Sequence, residues 1–284
     1  MSETNYNTED LENILGIDLS GYTSDNGEEI KNEESSSFKI PENSKSLEVS
    51  EITSRFSSAI WFDKIQDKEI VLAGLGGIGS YVAFLLSRLN VNYLFLYDPD
   101  IVESVNMSGQ FYTLNDAKNR KFKTQALTNK LYEYSNFHRV SSMSYCYDVD
   151  SIEAAIMICG FDNMNARKVF FNKWLHYVKH TEFPELCLFI DGRLNAEEFQ
   201  IFCIQGNDTY NIEKYKEEYL FDDDEADETT CSYKQTSFMA NMIASVMVNL
   251  FVNFVANQCD PLIPRDLPFY TNYIAETMYF KTIN

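Results

Sequence analysis

The chain has few basic residues and no closely spaced pair of cysteines, and each of these shortages excludes a class of protein. It carries 23 Lys and Arg against 43 Asp and Glu, a formal net charge of −20. Proteins that bind nucleic acid need a basic surface for the phosphates, so we expect no nucleic-acid partner. The six cysteines are widely spaced without a Cys-x-x-Cys pair. This spacing predicts a reduced, cytoplasmic protein with neither a disulfide framework nor a zinc site.

Signals for secretion and for membrane insertion are also missing. Residues 1–50 lack the basic start and apolar core of a signal peptide, and they hold 12 acids against 3 lysines. This composition predicts a disordered acidic tail. The long apolar stretch from Phe238 to Val255 is interrupted by Asn241, Asn249 and Asn253. We therefore expect a buried or dimer-facing helix there, and no membrane partner.

Glycine is scarce, with 11 residues in all, yet four of them lie in one turn at Gly74, Gly76, Gly77 and Gly79. The apolar run Ile70–Ala73 precedes this turn, and a helix-spaced apolar pattern follows it. Buried strand, glycine turn and helix are typical of a Rossmann-type unit, in which the helix N-terminus binds phosphate. A second apolar strand, Tyr93–Tyr97, leads to Asp98, 19 residues after Gly79, where an acid can bind a ribose hydroxyl.

The remaining pattern predicts an α/β, Rossmann-like three-layer fold, with a mostly parallel sheet and an antiparallel extension. Further strands are expected at 140–147, 155–160, 186–191 and 198–205, and helices at 53–67, 118–134, 166–180 and 235–257. We expect three regions: the tail 1–50, a nucleotide-binding domain over 51–260, and a C-terminal tail over 261–284 that wraps the surface. The acidic segment 207–230 is expected to be a loop.

Several polar residues follow the predicted strands. Residues 99–110 form a polar loop too long for a simple turn, which suggests a functional segment containing Asp100. Asp162 comes at the carboxyl end of a strand, where open α/β sheets bind ligands, although it could also cap the next helix. Asp100 could equally be a turn residue after Pro99, and Lys123 could be a solvated cation.

Taken together, these residues resemble the ThiF-type adenylyltransferases, the superfamily of the ubiquitin-activating enzymes and their bacterial sulfur-carrier relatives. The resemblance covers about residues 52–257. The motifs that carry it are Gly74-x-Gly76-Gly77-x-Gly79-Ser80, Asp98-x-Asp100-x-Val102-Glu103, Asn106-x-x-x-Gln110, Lys123, and Asp162-Asn163 followed by Ala166-Arg167. The loop before Gln110 and the triplet Asp191-Gly192-Arg193 look most like the short ThiF-family proteins of phages and other mobile elements.

The resemblance implies a reaction and its site. ATP would lie on Gly74, Gly76, Gly77 and Gly79, with Asp98 on the ribose and Asp100, Asn106 and Gln110 completing the nucleotide site. A carboxylate, typically the C-terminal glycine of a β-grasp ubiquitin-like or sulfur-carrier protein, would be adenylated. Positive charge would come from Lys123, from Mg²⁺ held by Asp162, and from Arg55 donated across a homodimer. Cys231 would accept the acyl group as a thioester in members that form one.

Three alternatives stay open at this level. Gly109 stands where relatives have an arginine, so a phosphate contact is missing or comes from Arg120 or Lys121. The chain could therefore be a non-catalytic ATP-binding scaffold of the same fold. An NAD-dependent oxidoreductase would share only the glycine turn. Arg55 could be a surface charge, and Cys231 a packing residue.

Overall fold

The computed structural model describes residues 49–221 and 236–284. Most of the predicted tail 1–50 and Cys231 lie outside these residues. The strands are β1 Glu69–Ala73, β2 Tyr93–Tyr97, β3 Val140–Met143, β4 Ile156–Cys159, β5 Leu188–Asn195, β6 Glu198–Gln205, β7 Tyr270–Ile274 and β8 Tyr279–Ile283. They form one sheet in the order β3-β2-β1-β4-β5-β6-β7-β8. The first five are parallel and the last three are antiparallel, which confirms the predicted Rossmann-like fold.

Helices cover both faces of this sheet. Those of the described residues are α1 Val49–Thr53, α2 Phe62–Ile65, α3 Gly77–Leu89, α4 Leu114–Lys118, α5 Lys123–Ser135, α6 Met164–His180, α7 Thr209–Lys214 and α8 Ser237–Asn257. One hydrophobic core unites α3, α5 and α8 with one face of the sheet, and a second core unites α6 and α7 with the other. The central strands are buried on both sides, as expected for parallel strands between helical layers.

Close packing between the layers depends on a glycine in β5. A Cβ atom on Gly192 would lie 2.6 Å from the sulfur of Met247 in α8 and 3.3 Å from Cγ2 of Ile78 in α3. A side chain at this position would therefore have to displace the Met247 side chain, which glycine leaves in contact with the strand. The apolar stretch predicted at 238–255 is this core helix α8. Its length and hydropathy would allow a membrane span, yet its inner face is buried against the sheet.

Two predicted helices have different bounds in the structure. The predicted helix 118–134 begins only at Lys123, as α5, because Lys118 ends the separate helix α4 and Arg120 between them takes a left-handed conformation with φ of 46°. The predicted helix 53–67 is only α1 and α2, joined by turns. The Ser54 and Ser57 hydroxyls there donate to the carbonyls of Glu51 and Ser54, and such local bonds compete with a regular helix.

Two further predictions were wrong in detail. The segment 261–284 does not simply wrap the surface, since β7 and β8 within it extend the sheet as antiparallel strands. Its aromatic and β-branched residues suit such strands. The described part of the predicted acidic loop 207–230 contains α7 and a further helical turn, Tyr215–Tyr219. Asp208 begins α7 by accepting a hydrogen bond from the Asn211 amide.

A buried ionic cluster holds the break between α4 and α5. Asp116, only 3% exposed, accepts hydrogen bonds from Lys130 and from Lys121 (2.9 Å), and from both the amide and the hydroxyl of Thr113. Burial opposes ionisation, but Lys130, Lys121 and Thr113 outweigh it and hold the pKa of Asp116 well below its usual range. The cluster therefore fixes α4 onto α5 through a charge that stays ionised.

Replacing Asp116 should destabilise the fold. We expect Asp116→Asn to lower the free energy of unfolding by about 3 kcal/mol, because Lys130 is left buried without its carboxylate. Urea denaturation measures the change, and Asp150→Asn, at an exposed acid, serves as the control. Because the folded-state pKa is depressed, the contribution is full above the unfolded pKa of about 3.9 and is lost only as pH falls further. Equal stabilities of the two variants would contradict this role.

Candidate nucleotide site at the carboxyl edge of the sheet

The glycine turn joins β1 to α3 at the carboxyl edge of the sheet. Gly74 has a φ of 79°, in the left-handed region that favours glycine, and its amide donates to the carbonyl of Tyr97 at 3.0 Å. Helix α3 begins directly after Gly76, and no side chain caps its first turn. Free amide groups and the positive end of the helix dipole therefore face this edge, which suits a phosphate.

The four glycines of the turn are not equivalent. A Cβ atom on Gly79 would lie 2.0 Å from the carbonyl oxygen of Gly74, so the turn cannot form with any side chain there. Among the described residues, a Cβ atom on Gly76 would meet only the side-chain nitrogen of Gln110, at 3.8 Å. Gly79 is thus required by the packing of the turn, whereas Gly76 leaves open space through which a ligand can approach the backbone.

Asp98 ties the turn to β2. Its side chain is nearly fully buried, and its two oxygens accept hydrogen bonds from the amides of Leu75 (2.7 Å) and Asp100 (2.9 Å). Burial raises the pKa of Asp98, while nearby Lys123 acts in the opposite direction. The predicted ribose ligand therefore lies at the turn, as the spacing of the sequence required.

Lys123 meets the predicted acids at the same edge. Although it is only 6% exposed, its Nζ lies 2.7 Å from Oδ2 of Asp100 and 3.9 Å from Oδ1 of Asp98. The Lys123 amide donates to the carbonyl of Asp100, and a bridge between Ile101 and Phe122 holds the two segments together. Lys123 is therefore not the solvated cation that the sequence left open, but a buried cation between two carboxylates.

A cleft of about 200 Å³ opens beside Lys123. Its lining residues are Asp100, Ile101, Glu103, Asn106 and Lys123. The Asn106 side chain accepts a hydrogen bond from the Glu103 amide at 2.8 Å, which closes the short helical turn Ser104–Ser108. Asn106 thus lies in the cleft, where it shapes the loop.

The end of the loop 99–110 and the residues just after it contact the glycine turn. Gln110 has a side-chain oxygen that is buried and has no hydrogen-bond partner among the described residues, near the open space at Gly76. A buried acceptor without a donor indicates a group that a ligand can satisfy. Tyr112, which sequence reasoning missed, donates from its hydroxyl to the carbonyl of Leu75 at 2.7 Å. Its only sequence signal is its closeness to Gln110.

Asp162 is exposed after β4, beside the turn. The amide of Gly160 donates to the carbonyl of Ala73 at 3.1 Å, which places this loop next to the end of β1. Asn163, and not Asp162, caps α6 by accepting from the Ala166 amide at 2.8 Å. The capping alternative for Asp162 is therefore wrong, and its carboxylate faces solvent at the edge where the other site residues lie.

A buried arginine contacts the Asp162 loop from the protein interior. Arg167 donates to the carbonyl of Phe161 and lies 3.4 Å from Asp191, which is completely buried. Asp191 also accepts from Arg193 (2.7 Å) and from the Tyr215 hydroxyl (2.9 Å). Burial alone would raise the pKa of Asp191, but Arg167 and Arg193 outweigh it and lower that pKa. Sequence reasoning noted Arg167, Asp191 and Arg193 only as motif residues and did not place them in one network.

Other candidate residues lie apart from this edge. Arg55 is exposed, and its neighbours Ser54 and Ser57 line a cavity of about 430 Å³ together with Asn90 at the far end of α3. Within one chain the structure therefore does not bring Arg55 to the site. Lys121, a candidate for the missing loop cation, is engaged by Asp116, whereas Arg120 is exposed and forms no ion pair within the described residues.

Sequence comparison identifies one family over most of the chain. Residues 47–284 match the model of the ThiF family. Among curated proteins, ubiquitin-like modifier-activating enzyme 5 of Drosophila erecta is 41% identical over 56 residues, which are 20% of this chain and 14% of that protein. The enzyme of the same name from Caenorhabditis briggsae is 43% identical over 56 residues, 20% and 13% of the two chains. The match thus spans only a small part of these relatives.

Solved structures share the fold. Escherichia coli MccB with AMPCPP and MccA gives a TM-score of 0.62 at 17% identity, over 86% of this chain and 74% of that one. MccB with ATP gives 0.59 at 17% identity, over 79% and 66%. PaaA gives 0.61 at 15% identity, over 97% and 82%. At these identities the similarity establishes the fold alone.

The different roles of the two glycines can be tested as a matched pair. We expect Gly76→Ala to fold with a melting temperature near that of the wild type and to bind ATP at least about tenfold more weakly, because the methyl group enters the open space. We expect Gly79→Ala to lower the melting temperature, since its methyl group has no room. Calorimetric titration and thermal unfolding measure the two effects. Full ATP affinity in a folded Gly76→Ala variant would contradict a phosphate at this turn.

Proposed function

We propose, because this chain belongs to the ThiF family, that it uses ATP to adenylate the carboxyl terminus of a protein or peptide. The observation that carries the proposal is the position of Lys123. This buried ammonium group lies between Asp98 and Asp100, at the edge where the glycine turn begins α3. A lysine held there is suited to the triphosphate of a nucleotide whose ribose binds Asp98.

The chemistry needs little beyond positioning and charge. An oxygen of the substrate carboxylate attacks the α-phosphorus of ATP, the bond to the bridging oxygen breaks, and pyrophosphate leaves, so that no proton has to move. Lys123 stabilises the negative charge that builds up on the phosphates. Its partner Asp100 has a side chain that is 62% exposed, so Asp100 can release Lys123 to a phosphate and turn to water.

Asp162 is the residue that would hold Mg²⁺. It is an exposed carboxylate, it is free of the capping role, and it lies beside the glycine turn, which fits a metal that contacts a bound triphosphate. Bound there, the metal would supply charge neutralisation on the triphosphate. The protein's own contribution is the rigid placement of this loop by Arg167 and Asp191.

The names of the relatives suggest a substrate class, which we propose for this chain. The matching curated relatives are named ubiquitin-like modifier-activating enzymes, and MccB has been crystallised with MccA. We propose a ubiquitin-like or sulfur-carrier-like protein, or a peptide, as the donor of the carboxylate. Transfer to Cys231 as a thioester stays a prediction, since that residue lies outside the described part of the chain.

A non-catalytic ATP-binding scaffold is the second candidate. Gly109 stands where the resemblance expects an arginine, and Asp116 already engages Lys121. A phosphate contact would then depend on Arg120. ATP binding without carboxylate-dependent exchange of pyrophosphate into ATP would favour the scaffold. Tighter binding of NAD than of ATP in calorimetric titration would contradict both candidates.

The two charged site residues give the first test of the proposed enzyme. We expect Lys123→Ala and Asp162→Ala to lower pyrophosphate exchange by at least about a hundredfold, because each removes charge compensation from the triphosphate. The assay uses a glycine-terminated partner recovered by pull-down. Lys118→Ala, at an exposed lysine at the end of α4, is the control and should keep full exchange. Unchanged exchange in a folded Lys123→Ala or Asp162→Ala variant would remove that residue from the site.

The proposed homodimer gives a second test. Arg55 cannot reach the site of its own chain, so we propose that it acts in the partner's site. Mixing inactive Arg55→Ala with inactive Asp162→Ala should restore activity, because a heterodimer contains one site with both residues intact. For equal amounts, we expect up to about one quarter of wild-type activity after random exchange of subunits. No recovery after proven exchange would leave Arg55 as a surface charge.

A further inference from the structure

A cavity of about 430 Å³ lies at the end of α3 that is remote from the glycine turn. The described residues that line it are Thr53, Ser54, Ser57, Phe62, Gln66, Asn90 and Arg139. Because α3 has 13 residues, this end lies about 20 Å from the turn, so the cavity is separate from the proposed nucleotide site. Its volume is in the range of cavities that bind small molecules.

The lining of this cavity is unusual for so acidic a chain. The chain has 43 Asp and Glu against 23 Lys and Arg, yet the described lining residues include no acid and one base, Arg139. Arg139 is half-buried and forms no ion pair within residues 49–221 and 236–284. A charged side chain that is partly removed from water is normally paired with an opposite charge. The guanidinium group therefore indicates a place for an anion.

Residues 90–92 hold Arg139 in place but do not use its whole guanidinium group. Nε donates to the carbonyl of Asn92 at 2.7 Å, and Nη2 donates to Oδ1 of Asn90 at 2.6 Å and to the carbonyl of Val91 at 2.9 Å. These bonds satisfy the chain just after α3. Nη1 has no hydrogen-bond partner in the part of the chain that the structure describes. Capping of α3 thus accounts for two of the three nitrogens and leaves one rigidly held donor.

The other walls of the cavity add an amide, two hydroxyl groups and an aromatic ring. Gln66 accepts through Oε1 from the side-chain nitrogen of Asn90 at 3.4 Å, which leaves the Gln66 amide nitrogen as a second donor. The hydroxyls of Ser54 and Ser57 donate to backbone carbonyls, so their protons are already engaged. The half-buried ring of Phe62 supplies an apolar wall. The cavity therefore offers two nitrogen donors, one positive charge and an apolar surface.

We propose that this cavity binds a small carboxylate that carries an apolar or aromatic group. The carboxylate oxygens accept charge-assisted hydrogen bonds from Nη1 of Arg139 and from the amide of Gln66. The apolar part of the ligand packs on Phe62. A phosphate dianion fits less well, because the carbonyl end of α3 carries a partial negative charge and Arg139 is the one base among the described lining residues. This site does not depend on the proposed function.

Fluorine NMR of 4-fluorobenzoate with the full chain tests the proposal. We expect saturable binding with a dissociation constant on the order of 1 mM, as suits so small a ligand. The control ligand, 4-fluorobenzamide, has nearly the same shape but no charge. It should bind at least about tenfold more weakly, because it cannot form the charge-assisted hydrogen bond to Arg139.

Two glutamine variants locate the binding. Gln66→Glu keeps the oxygen that accepts from Asn90 but places a negative charge in the cavity, so it should weaken the binding of 4-fluorobenzoate at least about tenfold. Gln125→Glu makes the same change at an exposed position of α5 and should leave the affinity unchanged. Equal melting temperatures of the two variants would show that the fold is unaffected and would attribute the loss to the cavity.

Several results would overturn the proposal. The absence of saturable binding up to about 10 mM would leave Arg139 only as a cap of α3. Equal binding of 4-fluorobenzamide, or unchanged binding in Gln66→Glu, would contradict a carboxylate in this cavity. Displacement of 4-fluorobenzoate by ATP would assign the ligand to the nucleotide site instead, and displacement by an equal concentration of inorganic phosphate would contradict the preference for a carboxylate.

Discussion

The carboxylate of Asp98 is the group on which the carboxyl edge of the sheet depends. It accepts hydrogen bonds from the amides of Leu75 and Asp100, and thereby joins the glycine turn, β2 and the loop that follows. Such a buried charge needs a nearby cation, and Lys123 meets that need. The carboxyl group that joins the turn to β2 therefore also brings a lysine to the position where a triphosphate would lie.

Charge is distributed unevenly around this edge. Asp100 and Glu103 line the cleft with the single ammonium group of Lys123, which also lies 3.9 Å from Asp98, so the cleft carries more acids than bases. An acidic cleft suits ATP only if the triphosphate brings a cation with it, which is consistent with the proposal that Asp162 holds Mg²⁺. Below the Asp162 loop, two arginines and one aspartate leave one surplus positive charge in the protein interior. That surplus lies under the loop where phosphate charge would collect.

Helices α3 and α8 have different surroundings on their two sides. Their inner sides pack on Gly192 and the sheet, where an added methyl group would displace the side chain of Met247. Within residues 49–221 and 236–284, their outer sides are exposed or half-buried and carry almost no charge.

The sequence by itself determined the Rossmann-like fold and the approximate place of Asp98 and Asp162, since strand periodicity and glycine spacing are local properties. Lys123 was singled out by the resemblance to a family. The sequence did not reveal the left-handed turn at Arg120 or the buried Asp116 cluster that joins α4 to α5. Nor did it reveal that β7 and β8 extend the sheet, or that Tyr112 and Arg167 support the two loops of the site. These features depend on contacts between residues distant in the chain, and only the tertiary structure decides which distant residues meet.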